Sequence, residues 1–177
     1  MKVVAIGKGS LGGGLAALWR AAGHDVTELG RDGGNASGAD AVLLAVPSGA
    51  VAEALRGVSG IGDTPVIDAT NPVRAPRPDG FDSVAAYVKS LTGGPVAKAF
   101  NTNFARIFER IEDAAERPSM LYAADDGARE VTEMLIRDAG YDPVDAGDLS
   151  AARAVEDFVG VIFAVVGQRG PFFYRFY

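Results

Sequence analysis

Lys2-Val3-Val4-Ala5-Ile6-Gly7-Lys8-Gly9-Ser10-Leu11-Gly12 decides how the rest of the chain is read. Val3 to Ile6 is apolar without a break and stops at a glycine, as a strand covered on both faces does. Three glycines follow at the spacing G-x-G-x-x-G, and Leu11, Leu15, Leu18, Trp19 and Ala22 then recur on one face of a helix. A buried strand running through this turn into an amphipathic helix is the setting in which the motif binds a dinucleotide. Gly7 permits the tight turn, Gly9 lets the backbone approach a diphosphate, and Gly12 lets helix and strand pack closely. Free N–H groups and the positive end of the helix dipole face the same anion.

Working outward, short strand-like runs alternate with alanine-rich helical stretches. The strands read as 2–6, 25–29, 41–46, 65–68, 95–100, 120–123 and 142–145, and the helices after the first as 50–56, 83–91, 103–111, 128–139 and 150–166. This order predicts an α/β fold, a doubly wound, mostly parallel sheet of Rossmann-like type. The stretch Gly30 to Ala39 carries four glycines and no helical period, so the adenosine-side half is expected to be trimmed. A single domain spanning 1–177 is expected, ending in a helix and an aromatic tail (about 148–177) that starts with helix-stopping Gly167, Gly170 and Pro171.

Arg31 stands just past the second strand, where an acidic residue would grip the ribose of NAD and an arginine favours the 2′-phosphate of NADP. Leu29 and Gly30 end that strand without a carboxylate, so NADP is the expected cofactor, with Glu28 and Asp32 as flanking competitors. Ala45-Val46-Pro47 and Asp68-Ala69-Thr70-Asn71-Pro72 close two further strands and are expected on the same carboxyl edge. His24 falls at the opposite end, in a structural turn.

Composition removes other chemistries. With no Cys there is no thiolate nucleophile or Cys-ligated metal, and one His rules out a multi-histidine site. A net charge of −6 without a basic cluster argues against a nucleic-acid surface. The longest apolar stretch, Phe158 to Val166, is far below the roughly 20 residues of a membrane span. A chain free in the cytoplasm, with small-molecule cofactors as partners, is therefore expected.

The chain resembles the coenzyme F420-dependent NADP oxidoreductases. The matching segments are the glycine loop, 22–26, Gly30-Arg31, 44–47, 66–72, Val96-Ala97-Lys98-Ala99-Phe100-Asn101-Thr102 and 141–149. The resemblance implies NADP held by Lys8, Gly9, Ser10, Leu11 and Arg31, and a deazaflavin, F420, in a cleft beside the nicotinamide near Asn101, Thr102 and the C-terminal part. Gly30 replaces the serine that partners the family's arginine, and Ser48 stands where the family carries a bulky residue. Asn71, Asn101 and Thr102 are then candidates for orienting the rings. Direct hydride exchange needs alignment more than an acid or base, so no catalytic residue is assigned. Two other readings stay open: an NADPH-dependent reductase of another small substrate such as an imine, and a cofactor-binding module without turnover. The apolar face of 150–166, with Val155, Phe158, Val159, Ile162, Phe163 and Val166, exceeds what one sheet needs and points to a homodimer formed through this helix and the aromatic tail.

Overall fold

In the computed structural model, which describes residues 1–73 and 76–177, seven strands form one sheet. In chain order the elements are β1 (Lys2–Ile6), α1 (Ser10–Ala21), β2 (Asp25–Leu29), β3 (Gly34–Asn35), β4 (Ala41–Leu44), α2 (Val51–Arg56), β5 (Val58–Ser59), β6 (Val66–Asp68), α3 (Val84–Thr92), β7 (Val96–Lys98), β8 (Ser119–Ala124), α4 (Asp126–Asp138), β9 (Asp142–Asp145) and α5 (Ala152–Arg169). The sheet order is β2-β1-β4-β6-β7-β8-β9, while β3 and β5 pair apart from it. β1 and β4 diverge to opposite sides of the strand order, and the crevice beyond their carboxyl ends is where such sheets bind ligands.

Alternation along β1 divides the core. Val3 and Ala5 face a cluster built with Leu15, Trp19, Leu135 and Tyr141, while Val4 and Ile6 face one with Val42, Val51, Val88 and Val155. Trp19 is fully buried, and its indole donates to the Leu135 carbonyl at 2.8 Å, tying α1 to α4. No described helix is long and apolar enough to cross a membrane.

The doubly wound, mostly parallel sheet is as expected, and the trimmed half is real: between β2 and β4 lies only the two-residue β3. Four local expectations are corrected. The strands expected over 41–46 and 95–100 end at Leu44 and Lys98, so the residues after them form the site rather than the ladder. The helix expected over 103–111 is a 3-10 run, Ala105–Arg110, closed by i+3 bonds such as Ile107 N–H to the Phe104 carbonyl at 3.1 Å. That connection stays at one edge instead of crossing the sheet, so β8 enters antiparallel to β7, pairing Ala97 with Ala124 and Lys98 with Ala123. Finally, α5 runs through Gly167 and stops only at Gly170, whose φ of 75° ends the helical geometry.

The aromatic tail folds back on its own chain. The Ser119 amide donates to the Tyr174 carbonyl at 2.8 Å and the Phe176 amide to the Ser119 hydroxyl at 2.9 Å. Phe158, Tyr174 and Phe176 stack edge to face or tilted within 6.3 Å.

Candidate functional site

A cavity of about 550 Å³ opens at the carboxyl ends of β1 and β4. Gly7, Lys8 and Gly9 line one wall, Gly30, Arg31 and Gly33 the far end of β2, and Ala45, Val46 and Pro47 the exit from β4. The three glycines of the motif are required for different reasons. Gly7 has φ +115°, and a Cβ there would sit 2.2 Å from the Ala45 carbonyl oxygen. A Cβ at Gly12 would sit 2.0 Å from the Gly7 oxygen. These two are closed by protein. At Gly9 a Cβ would meet nothing within 4 Å, so the protein itself does not demand glycine there. Bare backbone facing open space is what close approach by a ligand requires.

Gly9 also caps α1 without a side-chain hydrogen bond, and the first turn, with Ser10 and Leu11, carries no acidic residue. The helix therefore presents uncompensated N–H groups and the positive end of its dipole. Glycine cradle, open space and uncapped helix end together fit a dinucleotide diphosphate.

A second pocket, about 160 Å³, lies further along the same edge, lined by Leu11, Asn71, Phe100, Asn101, Thr102, Asn103, Phe104 and the α5 side chains Val159, Ile162 and Phe163. The expected residues are brought together here, but they bind one another. Asn71 Nδ2 donates to the Asn101 carbonyl at 2.7 Å, and Asn101 Nδ2 donates to Asn71 Oδ1 at 2.9 Å and to the Val155 carbonyl at 3.3 Å. Thr102 Oγ1 and the Tyr174 hydroxyl are 2.6 Å apart. Burial pushes the Tyr174 hydroxyl above its ordinary pKa, so it stays protonated at neutral pH. Two buried amide oxygens, Asn101 Oδ1 and Asn103 Oδ1, have no partner among the described residues. Phe100, immediately before this cluster, is the one non-glycine residue with positive φ among those described, at 60°. Its ring turns inward, edge to face with Trp19 at 5.5 Å, and the chain is thereby redirected so that Asn101 to Asn103 follow along the pocket.

No protein-family model matches the chain, and a search of curated proteins finds no match. Solved structures do match it. A provisionally named F420-dependent NADP-reductase from Arthrobacter sp. FB24 superposes with a TM-score of 0.82 at 22% identity, covering 99% of this chain and 98% of its own. A hypothetical protein from Sinorhizobium meliloti gives 0.67 at 27% identity over 85% of this chain and 86% of its own. A reductive aminase from Aspergillus terreus, in complex with NADPH and ethyl-5-oxohexanoate, gives 0.70 at 13% identity, covering 94% of this chain and 62% of its own. The sequence resemblance thus has its counterpart in the fold.

One feature of the edge was missed from sequence. Lys98 is fully buried at the end of β7, its Nζ 2.8 Å from Asp68 Oδ2, 3.2 Å from Glu156 Oε1 and 2.5 Å from the Thr70 carbonyl. Glu156 Oε1 also accepts the Val84 amide at the start of α3 at 2.8 Å, and its Oε2 lies 3.1 Å from Arg77 Nε. This cluster locks β6, β7, α3 and α5 together under Asn71 and Asn101. A lysine inside an otherwise apolar strand run was the available signal, since a buried ammonium demands carboxylate partners. His24, by contrast, is where the sequence placed it, remote from the site and 2.9 Å from Asp138 Oδ2.

Proposed function

We propose that the chain is an oxidoreductase exchanging hydride between NADP(H) and a deazaflavin of the F420 type or a related flavin-like acceptor. The observation that carries this reading is the pairing, on one sheet edge, of a glycine-cradled cavity with a second pocket that shares the glycine-loop helix through Leu11. The names of the structural neighbours, an F420-dependent NADP-reductase and an aminase holding NADPH, support it. NADP(H), when bound, supplies the hydride chemistry at its nicotinamide. The chain's own residues then bind and align: the Gly7 to Gly12 turn holds the diphosphate, Arg31 takes the 2′-phosphate, and Ala45 to Pro47 floor the passage toward the nicotinamide. Asn71 and Asn101, already bonded to each other, act as a rigid shelf for the rings. Val159, Ile162 and Phe163 exclude water from the reacting rings.

Titrating the protein with NADPH and with NADH, then adding oxidised F420, tests this directly. NADPH is expected to bind more tightly, and the absorbance of reduced nicotinamide to fall as F420 is reduced. Tight NADPH binding with no absorbance change would remove the deazaflavin reading and favour a binding module.

The Thr102–Tyr174 hydroxyl pair favours one second reading, reduction of a small imine or carbonyl that needs a proton as well as a hydride; NADPH consumption with such a substrate and not with F420 would select it. The same proposal includes a homodimer through α5, whose Val161 and Phe163 are 56% and 46% exposed. Light scattering at twice 18.3 kDa is the expected result.

A further inference from the structure

We propose that Lys8, the variable second residue of the glycine loop, reads the 2′-phosphate together with Arg31 and supplies the contact that Gly30 cannot make. This rests on the assignment of the large cavity to NADP(H) and adds its specificity device. The Lys8 stem lies along the bare face of Gly30: a Cβ built on Gly30 would be 3.7 Å from Lys8 Cε and 3.8 Å from Cδ. The ammonium, one bond further, is thereby carried from the glycine loop to the end of β2, where Arg31 stands. Both residues line the cavity and both are exposed. Among the described residues neither takes part in an ion pair, and both cations line the same cavity.

Neither of the two acids that could convert this place to a ribose-hydroxyl grip, Glu28 and Asp32, lines the cavity. Glu28 is held by Arg20 Nη1 at 2.8 Å, and Arg20 Nη2 donates to the Val26 carbonyl at 2.7 Å. The second Glu28 oxygen lies over α1, 3.5 Å from where a Cβ on Gly13 would be, and Glu28 does not line the cavity. The charged residues that do line it are Lys8, Arg31 and Glu53, a net charge of +1 with the two cations at the β1 and β2 ends and Glu53 on α2. A dianionic phosphate ester on the ribose is the ligand group this arrangement suits, since each cation adds a charge-assisted hydrogen bond.

Nicotinamide fluorescence gives the dissociation constants of NADPH and NADH for the parent, Lys8→Met and Lys8→Arg. Lys8→Met is expected to weaken NADPH roughly 10-fold to 150-fold, the range of one charge-assisted bond, and NADH less than about twofold. Lys8→Arg keeps most of the NADPH affinity. In the Lys8→Met background, Gly30→Ser should recover part of the lost preference, because Gly30 has no positive φ to strain and the hydroxyl takes over the vacated place. Equal weakening of both cofactors by Lys8→Met would put the ammonium on the diphosphate and overturn the proposal, as would no weakening of either. A parent protein that does not discriminate NADPH from NADH overturns the NADP assignment itself. A parent that discriminates, with Lys8→Met discriminating equally, overturns only the role of Lys8. Melting curves matching the parent show each variant folded, as expected for an exposed side chain without a partner.

Discussion

The two ends of the carboxyl edge are built on opposite principles. Around the glycine loop the protein leaves groups free: backbone amides uncapped, Lys8 and Arg31 without ion pairs among the described residues, and open space over Gly9. Around Asn71, Asn101 and Thr102 the side-chain amide donors and the threonine hydroxyl are already spent on neighbours, over a buried cluster of Lys98, Asp68 and Glu156. A loose, cationic end suits a charged ligand that brings its own hydrogen-bond acceptors. A tight end suits holding a flat ring in one place, because rigidity there costs nothing at the moment of binding. Breaking the tight end should therefore destabilise the fold, and changing the groups that the loose end leaves free should cost only affinity.

The largest effect is expected from Lys98→Met. It takes the ammonium away from the buried Asp68 and leaves Glu156 with Arg77 as its remaining cation, and removing one partner of a buried pair costs about 3–5 kcal/mol. Against a total stability of about 5–15 kcal/mol, that is enough to shift the urea midpoint well below the parent. A loss under about 1 kcal/mol would show that the tight end is not what holds these elements together.

Next come the glycines, which divide within one motif. A Cβ at Gly9 meets no protein atom within 4 Å, so Gly9→Val should melt with the parent, yet weaken NADPH roughly 100-fold or more, about 2.7 kcal/mol, by placing a branched side chain where phosphate belongs. Gly12→Ala should do the reverse first and lose stability, because its Cβ would collide with the Gly7 oxygen at 2.0 Å. Gly9→Val with normal NADPH binding would end the comparison at the loose end. Arg31→Ala follows, with an expected loss of about 1.5–3 kcal/mol in NADPH binding and no change in melting or in NADH binding.

The same contrast explains what could be read from sequence. The glycine loop is local: strand, turn and helix lie within 22 residues, and its chemistry is backbone chemistry, so spacing alone specifies it. The central strands β1 and β4 were legible because burial on both faces makes them apolar. The tight end depends on partners far apart in the chain, such as Lys98 with Glu156 and Thr102 with Tyr174. Glu156 sits beside Asp157 and reads as part of a solvated helix face; only the fold shows that one carboxylate is buried and its neighbour exposed. The 103–111 stretch carries apolar residues at helical spacing, but the spacing of Phe104, Ile107, Phe108 and Ile111 does not separate i+3 from i+4 bonding. Strand direction is likewise invisible in an apolar run, and the antiparallel entry of β8 follows from a connection that never crosses the sheet.

The smallest effect concerns the seam where the tail meets the tight end. Tyr174→Phe keeps the ring, and with it the edge-to-face contacts to Phe158 and Phe176, but removes the hydroxyl that bonds Thr102. One such neutral bond contributes about 0.5–1.5 kcal/mol, so a modest drop in the urea midpoint is expected. The pH dependence gives a second readout. Burial raises the Tyr174 pKa in the folded state, so its contribution is fully present below the unfolded value of about 10 and is lost as pH rises toward and through the folded value. Tyr122, pushed up to about 12 with burial as the main cause, and the buried Tyr141 behave alike, so the alkaline loss should be shallower in Tyr174→Phe but not absent. If the hydroxyl also backs Thr102 during turnover, the variant raises the KM for the acceptor while the dissociation constant of NADPH stays put. A change in NADPH affinity instead would mean that the two ends of the edge are coupled through the tail.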